Sequence, residues 1–537
     1  MAVAMASGSG GRASMVDQMV VHEKPEVKRG GSLLQQNEHF VENRTCKDVI
    51  WAILFILLAA CIAIGTIWTI IMVFSFENVE GANDHQVFLK THENTFIYGL
   101  MSILAAGLAS AFFSIVFLQF AKRNPECVVW TALILGPMCI ILVGAYLMTQ
   151  SWPMPGIWGA VCVFVGGCLL ACVIWACKDL VPLTVLLLRT VIHVVEVHPS
   201  MMALSAISAL LALAWSLSCI ACLLGSVIVD EDMMVLVESR ASKSPGKAAL
   251  VFLFAFIYIW GSLVATNTAH TACAGVYGRW YFGKDGGSPV AQSLRVAWTT
   301  SFGSICYGCF IVAVVRAVQA LVSYMRAEAE EEGNFVLAIL LRIIECIIDC
   351  VGDIIEGITE WAYVQCAVRA LGFCDACWAT FAVWCAASMN AIVGSCLIDL
   401  VPFLGASMVG ALSGATGFLV YHSRMVVGGY NTTVFAFCFL VGFLSSIAAL
   451  MPLKSGSCTI IICFGEDPDF LRRRAPALFE ALTQAQIEYD ADSSVGSASS
   501  SRRGSHQHQV QNQGGQARDV RAAPLMEMQP QGQPQGR

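Results

Sequence analysis

From Ile50 to Met451 the chain returns repeatedly to runs of about 18 or more apolar residues, each long enough to cross a ~30 Å hydrocarbon layer as a helix. In lipid a segment must satisfy its own backbone N–H and C=O groups, so runs of this kind fold as helices. Of 537 residues only 13% are charged, about half the roughly 25% of a soluble domain. The expected fold class is all-α: a polytopic membrane helix bundle of about ten transmembrane helices, with amphipathic helices at the interface.

Charge orders the spans. Lys24, Lys28, Arg29, Arg44 and Lys47 precede the first span (about Ile50 to Phe74), while Glu77, Glu80, Asp84 and Glu93 follow it in a short loop. By the positive-inside rule the N-terminus is cytoplasmic. Phe96 to Phe120 returns to Lys122 and Arg123, Val128 to Met148 leads out, and Ile157 to Ala176 comes back to Lys178. Met201 to Ile228 opens onto Asp230, Glu231 and Asp232, and the sixth span descends from Ala249 to Arg279 and Lys284. Phe302 to Met325, Ile392 to Tyr421 and Thr433 to Met451 are further spans, and Arg472, Arg473 and Arg474 put the C-terminus in the cytoplasm as well. Two cytoplasmic termini need an even number of spans, so one more is expected between residues 334 and 389. The start of the chain lacks a long apolar core of the signal-peptide kind, which leaves targeting to the first span.

The domains follow from composition. Residues 1–45 and 490–537, rich in Gly, Ser and Gln, read as disordered cytoplasmic tails; 46–455 is the transmembrane core and 456–489 a juxtamembrane segment. Ser505, in Arg502-Arg503-Gly504-Ser505, is a phosphorylation candidate. The sequons at Asn43 and Asn431 are expected to carry no glycan. The 23 cysteines lie mostly inside apolar runs, where free Cys behaves as a small hydrophobe, and Cys374 and Cys377 lack the second pair a zinc site needs. No metal and no cofactor is expected, and no nucleic-acid partner.

Two stretches are amphipathic. Pro182 to His198 sets Arg189, His193 and Glu196 on one side and is expected at the cytoplasmic interface. Arg342, Glu345, Asp349, Asp353, Glu356 and Glu360 form an acidic stripe opposite a face of isoleucines. It is expected to lie on a surface, the alternatives being a stripe against a water-filled cavity or a charged span, since carboxylates in lipid cost several kcal/mol. Asp349 and Asp353 resemble half of a phosphotransferase motif whose other elements are absent, and no Walker A, HExxH or GxSxG pattern occurs. An enzyme is not expected.

The sixth span is polar where a span should be dry: Ser262, Thr266, Asn267, Thr268, His270 and Thr271. At 1.5 Å per residue the low-charge run from Ala249 to Phe282 is roughly 50 Å of helix, so it must tilt, overrun the bilayer or break. Trp260, Tyr277, Trp280 and Tyr281 sit along it. Aromatic faces with a carboxylate are what a quaternary ammonium requires; Trp and Tyr also collect at membrane interfaces as anchors, and both readings stand at this point.

Four stretches carry a family resemblance. Ala274-Gly275 followed by Trp280-Tyr281-Phe282 looks like the AG-x4-WYF element of the choline transporter-like family. Gly303-Ser304 through Gly308, Ile311, Ala313 and Arg316 is similar to its GSxxxG-xxIxAxxR span. Ala362-Tyr363, Ala367-Val368 and Phe373-Cys374 match its AYxxxA[IV]-x4-FC element, and Cys463-Phe464-Gly465-Glu466-Asp467 resembles the CF-x-ED after its last span. The short loop after span one is similar to that of fungal and protist members. The resemblance implies a solute carrier for choline or a related organic cation such as ethanolamine, in the plasma membrane or an organelle membrane, with proton exchange open as its coupling. The alternatives are a membrane scaffold or receptor, or a channel-like protein, of the same fold.

On that reading Trp260, Tyr277, Trp280 and Tyr281 are candidate aromatic contacts, and Asn267 and His270 candidates to orient a hydroxyl. Asp399 is a candidate counter-charge or proton site, or else a helix-start residue before Pro402. Gly303, Ser304 and Gly308 are assigned to helix packing. The sixth span is expected to break near Gly261-Ser262 or Ala274-Gly275 and to line a central cavity with its polar segment.

Overall fold

The computed structural model describes residues 40–41, 44–76, 82–149, 153–229, 245–284, 286–386, 389–423, 431–485 and 487. Most of the two tails, Asn43, the 230–232 acids and Ser505 lie outside the described residues. The helices are α1 (Val49–Phe76), α2 (Ala82–Arg123), α3 (Pro125–Met148), α4 (Pro153–Cys177), α5 (Val181–Val197), α6 (Ser200–Val229) and α7 (Pro245–Tyr281). They continue as α8 (Pro289–Trp298), α9 (Phe302–Glu331), α10 (Phe335–Arg369), α11 (Phe373–Ala386), α12 (Met389–Ile398), α13 (Leu400–His422), α14 (Asn431–Glu466) and α15 (Pro468–Arg474). Among the described residues there is no strand, and nine helices or helix pairs are long and apolar enough to cross a membrane.

The ends follow local chemistry. Proline opens α3, α5, α8 and α15, where its missing N–H costs nothing. Asn334 caps α10 through the Leu337 N–H, and α10 closes at Ala370, whose φ of 56° turns the chain out of the helix. α5 is the expected amphipathic helix. One side, from Val181 through Leu188 to Val195, is buried beneath α2, α3, α12 and α14, while Glu196 pairs with Lys122 at 2.6 Å.

α10 is not the surface helix expected of the acidic stripe. It runs antiparallel to α9 along nearly the whole of that helix. Ser301 donates to the Cys366 carbonyl at the near end, Tyr363 to the Ile305 carbonyl, Arg316 to Glu356 and Asp353 further along, and Arg326 to Glu345 near the far end. Gln319 bonds Asp349 and Ser323 bonds Glu345 between them. The stripe therefore faces a polar stripe on its neighbour, whereas Ile343, Ile347, Val351 and Ile354 face outward. α10 thus keeps pace with a helix of spanning length and is part of the bundle rather than laid on its surface. The charges are tolerated in the bundle because each is met by a donor rather than by lipid.

The long sixth span also differs from expectation. α7 is one unbroken helix from Pro245 to Tyr281. Gly261 makes room instead for Trp215 of α6, whose indole lies where a Cβ would be and donates to the Ile257 carbonyl at 3.3 Å. Gly275 makes room for Ser293 of α8. The small residues serve close approach, not a break.

Just before α1 the chain forms a strap across the end of the bundle. Phe40 is 2% exposed, with the Arg44, Arg279 and Lys284 cations 5.1–5.8 Å from its ring. Arg44 donates to the Cys366 and Val368 carbonyls at the end of α10. Burial, and then the Arg279 charge, lower the Arg44 guanidinium to about 10, which leaves it charged at neutral pH. Asp48 Oδ2 accepts from Ser304 Oγ at 2.6 Å and from the Phe373 N–H at 2.8 Å, joining α9 to the start of α11. Asp48 has a φ of 51°, a conformation Asn adopts more readily than Ala. Asp48→Ala is therefore expected to cost about 1–2 kcal/mol, and Asp48→Asn much less. Thermal melting of the two purified variants checks this; equal losses would remove the capping role.

Candidate functional site

Between α7, α9, α10 and α14 lies a chamber of about 190 Å³, lined by Thr266, Asn267, His270, Glu356, Glu360, Tyr363 and Lys454 among others. Four helices contribute to it for separate reasons. The polar segment of α7 turns Asn267 and His270 inward; the acidic stripe of α10 ends there at Glu356 and Glu360. α9 supplies Val312. α14 supplies Met451 and Lys454 on either side of Pro452, which has no N–H for the Ala448 carbonyl one turn back.

The chamber is held by a polar network. Lys454 Nζ lies 2.6 Å from Glu360 Oε1. His270 is 2% exposed; its Nε2 is 3.1 Å from the Glu360 carbonyl and its Nδ1 2.8 Å from Ser455 Oγ. A carbonyl only accepts, so Nε2 carries a proton and donates. In the neutral ring Nδ1 then accepts from Ser455. Tyr363 is fully buried, its hydroxyl 3.2 Å from Cys309 Sγ, and Asn267 donates to the same sulfur at 3.5 Å.

Formal charges are unequal. Arg316 answers Glu356 and Asp353, and Lys454 answers Glu360, while Asp399 stands within electrostatic reach of Lys454 and Glu360. In the chamber's own lining two carboxylates, Glu356 and Glu360, face one cation, Lys454, an excess that favours a cation and disfavours an anion. An open groove past Leu263, Val312, Arg316 and Glu356 continues from the chamber toward Ser323, on the side away from the strap. Among the described residues no cluster of metal-ligating side chains gathers.

Of the seven candidate binding residues, the chamber brings together Asn267 and His270, with Asp399 close behind. The four aromatic candidates do not converge on it. Trp260 packs with Phe55, Phe256 and Phe310 and donates to the Cys306 carbonyl at 3.1 Å. Tyr277 donates to the Val191 carbonyl at 3.2 Å and Tyr281 to the Asp467 carbonyl at 2.9 Å. Trp280 is buried with them in the packed core on the strap side. The polar atoms of Trp260, Tyr277 and Tyr281 are directed at backbone carbonyls in or at the end of other helices, which suits tying helices together. Gly303 meets the strap backbone at Lys47 and Asp48, Ser304 bonds Asp48, and Gly308 makes room for Phe373 and Tyr363.

Sequence reasoning missed the ion pair. Lys454 was passed over because the last span was closed at Met451, whereas α14 continues to Glu466 with Ser455, Ser457, Thr459 and Ile460 at 0% exposure. Glu360 was read only as one more member of a stripe. A signal existed: a lone Lys inside an apolar run, beside a Pro, is expensive unless paired.

Fold and chamber together define a polytopic helical membrane protein with a small acidic site among its long helices. The family model described as plasma-membrane choline transporter matches residues 160–469, and the chain belongs to that family. It is similar to Protein PNS1 of Cryptococcus neoformans, 27% identical over 413 residues that cover 72% of this chain and 71% of the relative. Protein PNS1 of Gibberella zeae is 28% identical over 391 residues (70% and 71%), and that of Neurospora crassa 26% over 418 residues (76% and 72%).

Proposed function

We propose that this chain is a carrier for choline or a related small organic cation, ethanolamine included, and that the chamber beside Glu360 is its binding site. The observation that carries the reading is the acidic chamber itself, with Tyr363 in its wall. A quaternary ammonium donates no ordinary hydrogen bond, so it is held by charge, apolar contact and an aromatic face. Glu360 supplies the charge, Leu263, Val312 and Met451 the apolar contact, Tyr363 the ring. Asn267, Thr266 and Thr359 are placed to bond a hydroxyl. At about 190 Å³ the chamber is smaller than the ~300–1,000 Å³ of drug-sized sites, which suits a solute of few atoms. The family supports a transporter rather than an enzyme. The plasma membrane fits the family's description, and cytoplasmic termini fit Lys122, Arg123, Lys284 and Arg472, which lie toward the strap side.

The test is uptake of labelled choline into proteoliposomes holding the purified full chain, with ethanolamine and tetramethylammonium as competitors. Saturable uptake inhibited by unlabelled choline is expected. Linear, unsaturable flux would favour a channel, and no uptake by folded protein under any imposed pH or voltage gradient would overturn the reading. Within the same assay Tyr363→Ala is expected to raise KM about tenfold, since a desolvated cation–π contact is worth up to ~2 kcal/mol, whereas Trp280→Ala leaves KM unchanged. The reverse pattern would move the site to the strap side.

A further inference from the structure

The chamber already contains a cation of its own. Lys454 Nζ holds Glu360 at 2.6 Å, so an incoming organic cation meets a carboxylate that is taken, and two cations on one carboxylate repel each other. Entry therefore needs somewhere for the ammonium to go. Asp399, at the junction of α12 and α13, provides it. Among the described residues its Oδ1 is buried without a hydrogen-bond partner, an arrangement native interiors seldom tolerate without a purpose, and Asp399 is held against this part of α14 by Ser395, one turn before it, whose Oγ donates at 3.1 Å to Ser457, three residues past Lys454. Lysine suits such a move, being a compact charge on a flexible four-carbon stem. His270 stays out of the exchange, since both of its ring nitrogens are engaged by Ser455 and the Glu360 carbonyl.

We propose that Lys454 is a tethered cation that trades Glu360 for Asp399 when an organic cation enters the chamber. This rests on the reading of the chamber as an organic-cation site. Charge is conserved within the site: one cation enters, one ammonium passes from the first carboxylate to the second, and the previously orphaned oxygen gains a partner. The exchange also ties occupancy to packing. Lys454 lies two residues past Pro452 on α14, and Asp399 links the short α12 to α13. With the chamber empty the ion pair joins α14 to α10; with it filled, the pair joins α14 to the α12–α13 junction. A ligand alters a conformational equilibrium only by interacting differently with its two states, and here the difference is which carboxylate the lysine holds.

The test is equilibrium binding of labelled choline to the purified full chain, comparing wild type, Lys454→Gln, Asp399→Asn and the double variant, each checked for folding by thermal melting. Removing the internal competitor is expected to tighten binding about tenfold in Lys454→Gln, and removing its destination to weaken binding about tenfold in Asp399→Asn. In the double variant no lysine needs to move, so its affinity is expected to match Lys454→Gln within about twofold. If Asp399→Asn weakens binding as strongly in the Lys454→Gln background as in wild type, Asp399 acts on the substrate directly and the exchange is overturned. Wild-type binding with no tightening in Lys454→Gln overturns the exchange alone, and that arm decides even if an Asp399 variant does not fold. Absence of binding in wild type and Lys454→Gln alike, for choline, ethanolamine and tetramethylammonium, overturns the chamber reading and the exchange with it.

Discussion

With Glu360 changed to Gln, choline uptake at low substrate concentration is expected to fall about 100-fold while the protein remains folded. A carboxylate facing a partly desolvated cation is worth about 3 kcal/mol or more, and every 1.4 kcal/mol is a factor of ten in affinity. Gln keeps the shape of the side chain and removes only the charge, so the loss reads the electrostatic contribution rather than a cavity. Folding survives because Lys454 retains Asp399 nearby. Glu356→Gln makes the informative comparison. Glu356 also lines the chamber, but its partner Arg316 is held by Asp353 as well, and on the exchange proposed for Lys454 only Glu360 is released, so the loss of Glu356 is expected to raise KM only a fewfold. The measurement is initial uptake rate against choline concentration in proteoliposomes for both variants. A wild-type KM in Glu360→Gln would remove Glu360 as the counter-charge, and equal effects in the two would mean that the field of the whole acidic stripe holds the substrate.

How much of this could be read in advance depends on which physical signal each element carries. The spans were legible because lipid forces every crossing segment to satisfy its own backbone, and hydropathy records that requirement almost directly. Hydropathy fails where a charge inside a span is matched by one on another helix. Glu345, Asp349, Asp353 and Glu356 looked too costly for lipid, yet Arg316, Gln319, Ser323 and Arg326 recur on α9 at matching helical intervals. The two stripes are complementary, and only setting the two helices side by side reveals it. Lys454 was hidden in the same way. The polar segment of α7 was correctly singled out as unusual and does reach the chamber through Asn267 and His270. The aromatic residues along it were a weaker guide, because a Trp or Tyr buried with its polar atom on a backbone carbonyl has the same sequence appearance as one facing a ligand. Glycines were ambiguous for a related reason. A Gly in a span is equally consistent with a break and with a close neighbour, and at Gly261 the neighbour is Trp215.

Close approach of that kind sets up the largest stability effect. At Gly456 of α14 a Cβ would fall on the ring of Tyr277 of α7, a side chain with 0% exposure whose hydroxyl is anchored to the Val191 carbonyl of α5. The ring cannot swing away without losing that bond, and both backbones are fixed by their own helices. Gly456→Val is therefore expected to cost about 3 kcal/mol or more, at the upper end for overpacking a filled core, and to lower the melting temperature of the purified protein by about 3 °C or more. The companion is Tyr277→Leu in the Gly456→Val background. It removes the ring that the new side chain meets, so the double variant is expected to be more stable than the sum of the two single losses predicts, as it is when two residues share one contact. Function should suffer along with stability. Gly456 is one residue from Ser455 and two from Lys454, so any displacement of α14 from α7 pulls the serine from His270 and the ammonium from Glu360 together. Melting of Gly456→Val within about 1 °C of wild type, a shift worth roughly 1 kcal/mol for a chain of this size, would mean that α7 and α14 do not approach so closely, and the geometry assigned to the chamber between them would fall with that contact.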